Sequence, residues 1–392
     1  MKLAIVSDLH FGYGEDALPQ AKEALFAAAA QADAIILPGD VFDSRVPRQE
    51  TVHEAVQLFS SLIERTSNPL AIKAVGEGGE SAVEWKGIPL LAIPGTHERR
   101  SKGLVNVIQI LDAAGLLVNF HARTLVLEKG GERVCLQGLA GVPEDYLRRT
   151  LEAASFAPLQ GCFNIFVFHQ SLSELLPYER ADFVSLSELP AGFDLYVDGH
   201  VHWRNEIRKD GRRLLVAGST VITQMRQREE EAKGFYLFDT KTLQAEFRHI
   251  NSRPFFLAEE EFRDASAEDV VACIRRRLQA ISEKKPAMPP QVRVVAKGTL
   301  AKGVQSSSVD LEPLRAEFPG LRLFFEKEFE SMELKEKIEL LRRLRDEKQG
   351  VKEMGMALLK ERLTAAGMAL DDPERFFELV SEGELEEAAK LL

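Results

Sequence analysis

Short apolar segments that end next to aspartate or histidine recur through the first half of this chain. Leu3–Val6 leads into Asp8-Leu9-His10, and Ala34–Leu37 leads into Gly39-Asp40. Continuous runs of Val, Ile and Leu are typical of strands that are buried on both faces of a layered sheet. Ligands of α/β proteins gather beyond the carboxyl ends of such strands. The pattern therefore predicts an α/β fold with one site built from residues that are distant in sequence.

Three further motifs follow apolar strand candidates in the same way: Gly95-Thr96-His97-Glu98, His169-Gln170 and Gly199-His200-Val201-His202. Amphipathic stretches alternate with the strands, which predicts helices near 18–31, 48–66, 103–114 and 144–153. The Gly-rich stretch 74–88 is predicted to be a polar surface insertion.

The chain divides by pattern into three predicted parts. Residues 1–254 carry the strand and histidine pattern, and residues 255–327 have the pattern of a small α+β unit with a helix near 266–283. Residues 328–392 are highly charged, with apolar positions at helical spacing such as Leu334, Ile338 and Leu341. A later helix is predicted to start at Asp372-Pro373, because Asp is favoured as an N-cap and Pro at the first helical position.

Composition limits the classes of protein that this chain can belong to. Its three cysteines are far apart in sequence, which argues against a disulfide framework and against a zinc knuckle. No apolar run approaches the roughly 18 residues of a membrane span, and the first apolar stretch reaches Asp8 too soon for a signal peptide. We therefore expect a cytoplasmic protein without a membrane segment.

The net charge of −11 bears on the kind of partner. A protein that coats nucleic acid by charge alone is normally basic. An acidic chain that acts on DNA needs local basic patches and bound metal to attract it, so the charge argues against a DNA-coating protein but not against a nuclease.

The residue types of the motifs suit phosphodiester hydrolysis. Two metal ions about 3.5–4 Å apart can neutralise the phosphate charge and stabilise both the attacking and the leaving oxygen. The spacing of Asp8 and His10 puts a carboxylate and an imidazole on one side of a strand end, and His200 and His202 do the same with two imidazoles. Mixed ligands of this kind suit manganese, iron or zinc better than magnesium. The remaining histidines considered, His53, His121 and His249, are interpreted as structural or surface residues.

The order of these motifs resembles the calcineurin-like metallophosphoesterase superfamily. Within it, four stretches are similar to the archaeal and bacterial double-strand-break repair nucleases of the meiotic-recombination-eleven family. They are Gly39-Asp40-Val41-Phe42-Asp43-Ser44 with Pro47, Gly218-Ser219, Lys233-Gly234-Phe235-Tyr236 and Arg253-Pro254-Phe255. The resemblance covers residues 1 to about 256.

The resemblance implies a layered αββα core, a small DNA-capping domain and a helical C-terminal tail. It implies one metal ion held by Asp8, His10, Asp40 and His202, and a second held by Asp40, His169 and His200. His97 would be the catalytic histidine. The implied activity is manganese-dependent exonuclease and endonuclease cleavage of DNA.

The resemblance also implies partners. We expect a homodimer, and a coiled-coil ATPase of the SMC type that binds the C-terminal helices. The chain has no G-x-x-x-x-G-K-[ST] phosphate loop, so ATP hydrolysis is expected in that partner.

Two residues depart from the family pattern Gly-Asn-His-Asp. Thr96 replaces the Asn that binds the second metal ion in the family, and its shorter hydroxyl predicts a weaker second site. Glu98 replaces the Asp that orients the catalytic histidine, and its extra methylene predicts a different angle.

Two alternatives stay open at this point. Thr96 is compatible with a scaffold subunit that has lost turnover. The acidic net charge is compatible with a phosphodiesterase for small molecules, although that activity does not require the second unit and the tail.

Overall fold

The structure is a computed structural model, and it describes residues 1–65, 70–101, 103–176, 183–330, 355–356, 359–360, 362–363, 372–381 and 385–391. In chain order its strands are β1 (Lys2–Ile5), β2 (Ala34–Leu37), β3 (Ala71–Gly76), β4 (Gly79–Val83), β5 (Leu90–Ala92), β6 (Val118–Asn119), β7 (Thr124–Lys129), β8 (Glu132–Leu139), β9 (Phe163–Phe168), β10 (Leu195–Asp198), β11 (Asn205–Lys209), β12 (Arg212–Val216), β13 (Gly234–Asp239), β14 (Gln244–His249), β15 (Phe255–Ala265), β16 (Gln291–Leu300) and β17 (Arg322–Glu330). The helices are α1 (Ala17–Ala29), α2 (Gln49–Arg65), α3 (Val107–Ala113), α4 (Glu144–Ala154), α5 (Ala267–Ser282), α6 (Pro313–Glu317), α7 (Pro373–Ser381) and α8 (Leu385–Ala389).

Two sheets form the larger part of the fold. One has six strands in the order β14-β13-β1-β2-β5-β6, and the other has eight in the order β11-β12-β10-β9-β8-β7-β3-β4. The inner strands β1, β2 and β5 are parallel to one another, as are β8, β9, β10 and β12. Within each sheet, the carboxyl ends of these inner strands therefore lie at a common edge.

Three buried apolar clusters define the layers. The middle one lies between the sheets and contains Ile5, Ile36, Ile165 and Val197. A second lies between the six-stranded sheet and helices α1, α2 and α3. The third covers the outer face of the eight-stranded sheet with α4 and its neighbouring loops. This αββα layering confirms the predicted fold class, and the continuous apolar strand runs follow from burial on both faces.

The predicted elements of this region are found within a few residues of their expected positions. The predicted insertion at 74–88 instead contributes to the hairpin β3–β4, whose strands pair antiparallel at the edge of the eight-stranded sheet. β4 is mainly exposed, which explains why its sequence lacks the apolar run of an inner strand.

Contacts divide the chain into two compact units. Among the described residues, the first comprises those within 1–257, 281–293 and 319–324, and the second comprises those within 258–280 and 294–318 and those from 325 onward. A third sheet has the order β15-β16-β17, and helices α5 and α6 lie between its strands in the chain. Val270, Ile274 and Leu278 form the buried face of α5. The division at 254 and 327 stays a prediction.

Only part of the C-terminal tail is described. Helix α7 begins as predicted, because the Asp372 carboxylate accepts a hydrogen bond from the Arg375 backbone N–H at 3.0 Å. The predicted helix with Leu334, Ile338 and Leu341 lies outside the described residues. Among the described helices, none combines the length and the apolar character needed to span a bilayer.

Candidate metal centre

The strand ends of both sheets contribute to one cluster of polar side chains. Asp8 and His10 follow β1, Asp40 follows β2, His169 follows β9, and His200 and His202 follow β10. All but His200 are buried, and Asp8 and His169 are completely inaccessible to solvent. The structure thus brings together all six metal ligands that the resemblance implies.

The six side chains form two groups of possible ligands. Asp8, His10 and His202 place one ligand atom each within 4.8 Å of one another, and Asp40, His169 and His200 do the same. In the first group, His10 Nε2 lies 3.2 Å from His202 Nε2, and Asp8 Oδ1 lies 3.6 Å from the same His202 nitrogen. In the second, His169 Nε2 lies 3.1 Å from Asp40 Oδ2.

The backbone at these positions is strained. Asp8, His10, Asp40 and His200 have φ values of 51°, 47°, 48° and 66°. Left-handed backbone is uncommon for residues other than glycine, and strained residues of this kind cluster at functional sites. Gly39, with φ of 99°, precedes Asp40, and a side chain there would collide with the His169 ring. The close approach of the β2 and β9 ends therefore requires glycine.

Three histidine rings are fixed through the nitrogen that points away from the cluster. His169 Nδ1 lies 2.7 Å from the Pro38 carbonyl oxygen, His10 Nδ1 lies 3.1 Å from Asp43 Oδ1, and His202 Nδ1 contacts Thr223 Oγ1. A partner on Nδ1 sets the ring orientation and leaves the Nε2 lone pair for a metal ion. Each Nε2 faces the cluster.

The donor atoms fit a divalent cation. His169 Nε2 is buried, and the contact with Asp40 Oδ2 at 3.1 Å lacks the geometry of a hydrogen bond, although a buried ring nitrogen normally has a hydrogen-bond partner. The opposed Nε2 atoms of His10 and His202 need a proton or a cation between them, because two lone pairs repel at 3.2 Å. This cluster of imidazole nitrogens and carboxylate oxygens can bind metal.

Burial and neighbouring charges together shift the pKa values of the residues in the cluster. Burial raises the pKa of Asp8 to about 6 and lowers the pKa of His200 to about 4. Burial also opposes protonation of His169, but the adjacent Asp40 carboxylate outweighs it and raises the pKa of His169 to about 10.

His97 is an accessible member of the site. Its side chain is 41% exposed, and its Nε2 lies 3.9 Å from Asp40 Oδ2. Its Nδ1 lies 2.9 Å from the backbone carbonyl oxygen of Asp43. His97 therefore borders the cluster on its solvent side, where a substrate can reach it.

Asp43 is a site residue to which the sequence predictions gave no role. Its carboxylate faces His10 and its carbonyl oxygen faces His97, so one residue positions both rings. The available signal was its place three residues after Asp40, within the segment 39–44 that resembles the repair nucleases.

The two departures from the family pattern have separate consequences. The Thr96 hydroxyl donates to Asp40 Oδ2 at 3.2 Å. Glu98 is buried, and its two oxygens accept backbone N–H groups of Gly95 at 2.7 Å, Phe42 at 2.7 Å and Asp40 at 3.1 Å. Glu98 thus joins the loops after β2 and β5, and the ring of His97 is held by Asp43 instead.

The three other histidines lie apart from this cluster. His53 is exposed on α2, and His249 is exposed at the end of β14. His121 Nδ1 lies 3.1 Å from the Ala140 backbone nitrogen and accepts its hydrogen bond.

Comparison with known proteins agrees with the class of site. Residues 1–204, which contain β1–β10 and all seven candidate site residues, match the model of the calcineurin-like phosphoesterase family. The chain belongs to this family.

Individual relatives are DNA repair proteins. The chain is 26% identical to a double-strand break repair protein, mre-11, of Caenorhabditis elegans, over 62% of this chain and 39% of that protein. It is 27% identical to the DNA double-strand break repair protein Mre11 of Methanopyrus kandleri, over 52% and 44%. It is 24% identical to the Mre11 of Sulfolobus acidocaldarius, over 83% and 82%. Among the first relatives, the chain spans about half of their length.

The role of Glu98 can be tested by Glu98→Gln. A glutamine keeps one acceptor oxygen, so its NH2 group must face at least one of the three backbone N–H groups. We expect the free energy of unfolding to fall by about 1–3 kcal/mol, the cost of an unsatisfied buried donor. Urea denaturation measures this, with exposed Glu54→Gln as the control. Equal stability of both variants would contradict the assignment.

Proposed function

We propose that this chain is a metal-dependent DNA nuclease, the nuclease subunit of a double-strand-break repair complex. The observation that carries the proposal is the convergence of two carboxylates and four imidazoles from both sheets, with His97 at the exposed edge. The names of the relatives, which are double-strand break repair proteins, support DNA as the substrate. Exonuclease and endonuclease cleavage are both part of the proposal.

We assign two divalent ions, manganese first, to the six ligands. Asp8, His10, Asp40 and His202 would hold one, and Asp40, His169 and His200 the other, with Asp40 shared. When bound, the pair would supply an activated water and neutralise the phosphate charge. The backbone N–H of His97 donates to Asp40 Oδ1 at 2.8 Å. This hydrogen bond fixes the position of the shared carboxylate relative to the proposed catalytic histidine.

His97 would donate a proton to the leaving oxygen. Its Nδ1 faces a carbonyl oxygen and must carry a proton to donate there. Its Nε2 then carries a proton only in the imidazolium form, and in that form it can donate a hydrogen bond to a phosphate oxygen and pass the proton to the leaving oxygen.

A basic rim next to His97 favours a nucleic acid over a small molecule. Arg45 and Arg48 are exposed and follow Asp43, while Arg99 and Arg100 are partly exposed and follow Glu98. The Arg100 guanidinium lies 3.5 Å from the Arg45 carbonyl oxygen, so the two segments are adjacent. In an acidic chain, four neighbouring arginines supply the local positive charge that DNA binding requires.

The partners are proposed on the resemblance and on the relatives' names. A coiled-coil ATPase of the SMC type would bind the helices of the C-terminal tail, and the chain would act as a homodimer. The capping role of 255–327 and a cytoplasmic location belong to the same proposal.

A second candidate function rests on Thr96. The Thr96 hydroxyl donates to the Asp40 oxygen that also faces His169. It would therefore compete with a metal ion for the lone pairs of that oxygen. This favours a weaker second ion, and in the extreme a scaffold subunit without turnover. The two candidates differ in the number of ions bound.

The nuclease proposal predicts that purified protein with Mn²⁺ degrades linear duplex DNA. His97→Ala removes the proton donor, and we expect the rate to fall by about 100- to 10,000-fold. Gel assays of end-labelled DNA measure it, with His249→Ala as the control. Failure of the wild-type protein to cleave DNA with any divalent metal ion would contradict the enzymatic part of the proposal.

The basic rim predicts a specific salt dependence. Removing two positive charges with Arg45→Gln and Arg99→Gln should weaken binding of duplex DNA. The slope of log K against log salt should fall by about 2, roughly one for each arginine replaced. Fluorescence anisotropy measures both quantities, and Arg208→Gln, near the end of β11, is the control. An unchanged slope, together with faster turnover of bis-p-nitrophenyl phosphate than of DNA, would favour a small-molecule substrate.

A further inference from the structure

A buried ion pair lies behind the first group of ligands. The Lys233 side chain is 4% exposed, and its ammonium group donates to Glu229 Oε1 at 2.9 Å. It also donates to the backbone carbonyl oxygen of His202 at 2.8 Å and to Ser219 Oγ at 3.1 Å. All three N–H groups of the ammonium therefore have an acceptor. One of these acceptors is the main-chain carbonyl oxygen of a candidate metal ligand, His202.

Glu229 organises the loop between Gly218 and Lys233. Its side chain is fully buried, and it accepts the backbone N–H groups of Thr223 at 3.3 Å, Gln224 at 3.0 Å and Arg226 at 3.4 Å. A single carboxylate therefore fixes the path of the chain from 223 to 226, while Lys233 balances its charge.

The loop places the Thr223 side chain against one of the candidate metal ligands. Thr223 Oγ1 contacts His202 Nδ1, and the Tyr13 hydroxyl donates to the Thr223 carbonyl oxygen at 2.8 Å. When His202 Nε2 gives its lone pair to a cation, the ring proton must be on Nδ1, and Thr223 Oγ1 is the acceptor for it.

Stability alone gives a poor account of this arrangement. Taking two charges out of water is unfavourable, and apolar residues of similar volume often replace a buried ion pair without loss. Here the pair holds the His202 main chain on one side and the Thr223 loop on the other. Both contacts restrict the position of one imidazole.

We propose that Lys233, Glu229 and Thr223 form a positioning unit for His202, which sets the affinity of the metal site that contains Asp8, His10 and His202. The proposal rests on the proposed function in assuming that this site binds a divalent ion. None of the three residues is assigned contact with the ion or the substrate. They act through the orientation and the tautomer of the His202 ring.

The sharpest test compares Thr223→Val with Thr223→Ser. Valine has nearly the shape of threonine but lacks the acceptor oxygen, whereas serine keeps it. We expect Thr223→Val to weaken one Mn²⁺ site by about 10- to 100-fold, the usual effect of removing a partner of a metal-binding histidine, and Thr223→Ser to bind within about twofold of wild type. Titration with Mn²⁺ alone, followed by the electron paramagnetic resonance signal of the free ion, gives the number and affinity of the sites.

Lys233→Met is a second variant of the same unit. It should weaken the same site, and Lys209→Met, which removes an exposed ion pair with Glu174, should leave both affinities unchanged. If Lys233→Met does not fold, the threonine pair still decides the question. Equal affinities for wild type, Thr223→Val and Thr223→Ser would overturn the proposal and leave the proposed function intact. Absence of any bound Mn²⁺ in the wild-type protein would overturn both.

Discussion

The position of the Asp40 carboxylate is the constraint on which the rest of the site depends. Asp40 follows β2 in a left-handed conformation, and the preceding Gly39 leaves room for the His169 ring. Glu98 accepts the Asp40 backbone N–H, and the backbone N–H of His97 donates to the Asp40 side chain. Its other oxygen faces His169, which comes from the opposite sheet. This single residue links the two sheets, the second group of ligands and the proposed catalytic histidine.

The strain and burial of this arrangement are explained by the proposed metal ions. Isolated buried charges are expensive, and paired groups or a metal ion are what normally compensate them. The cluster contains two buried carboxylates and opposed imidazole nitrogens, and four of its residues have left-handed backbone. Such strain costs on the order of 1–3 kcal/mol for each residue. Buried charge and backbone strain that are concentrated in one cluster are typical of a functional site.

The sequence was sufficient to predict the layers and the convergence of the motif residues, because both depend on local patterns. The assignment of these residues as metal ligands came from the family resemblance and stays a prediction. Val, Ile and Leu runs such as Leu3–Val6 have the composition of doubly buried strands, and the residue that follows each strand is placed by the strand itself. Asp43, Thr223, Glu229 and Lys233 could not be assigned in this way. Their roles depend on where loops fold in space, and Thr223 and His202 are 21 residues apart. Glu98 shows the same limit, since the side chain lies next to His97 in sequence but binds the backbone of residues 40 and 42.

One buried cluster is proposed to bind two metal ions that share Asp40. The most direct test is a crystal of the full chain soaked in Mn²⁺ and measured near the manganese absorption edge. We expect two anomalous peaks about 3.5–4 Å apart, one beside Asp8, His10 and His202 and the other beside His169 and His200, with lower occupancy at the second because of Thr96. No peak within this cluster at saturating Mn²⁺, or a peak only among other residues, would contradict it.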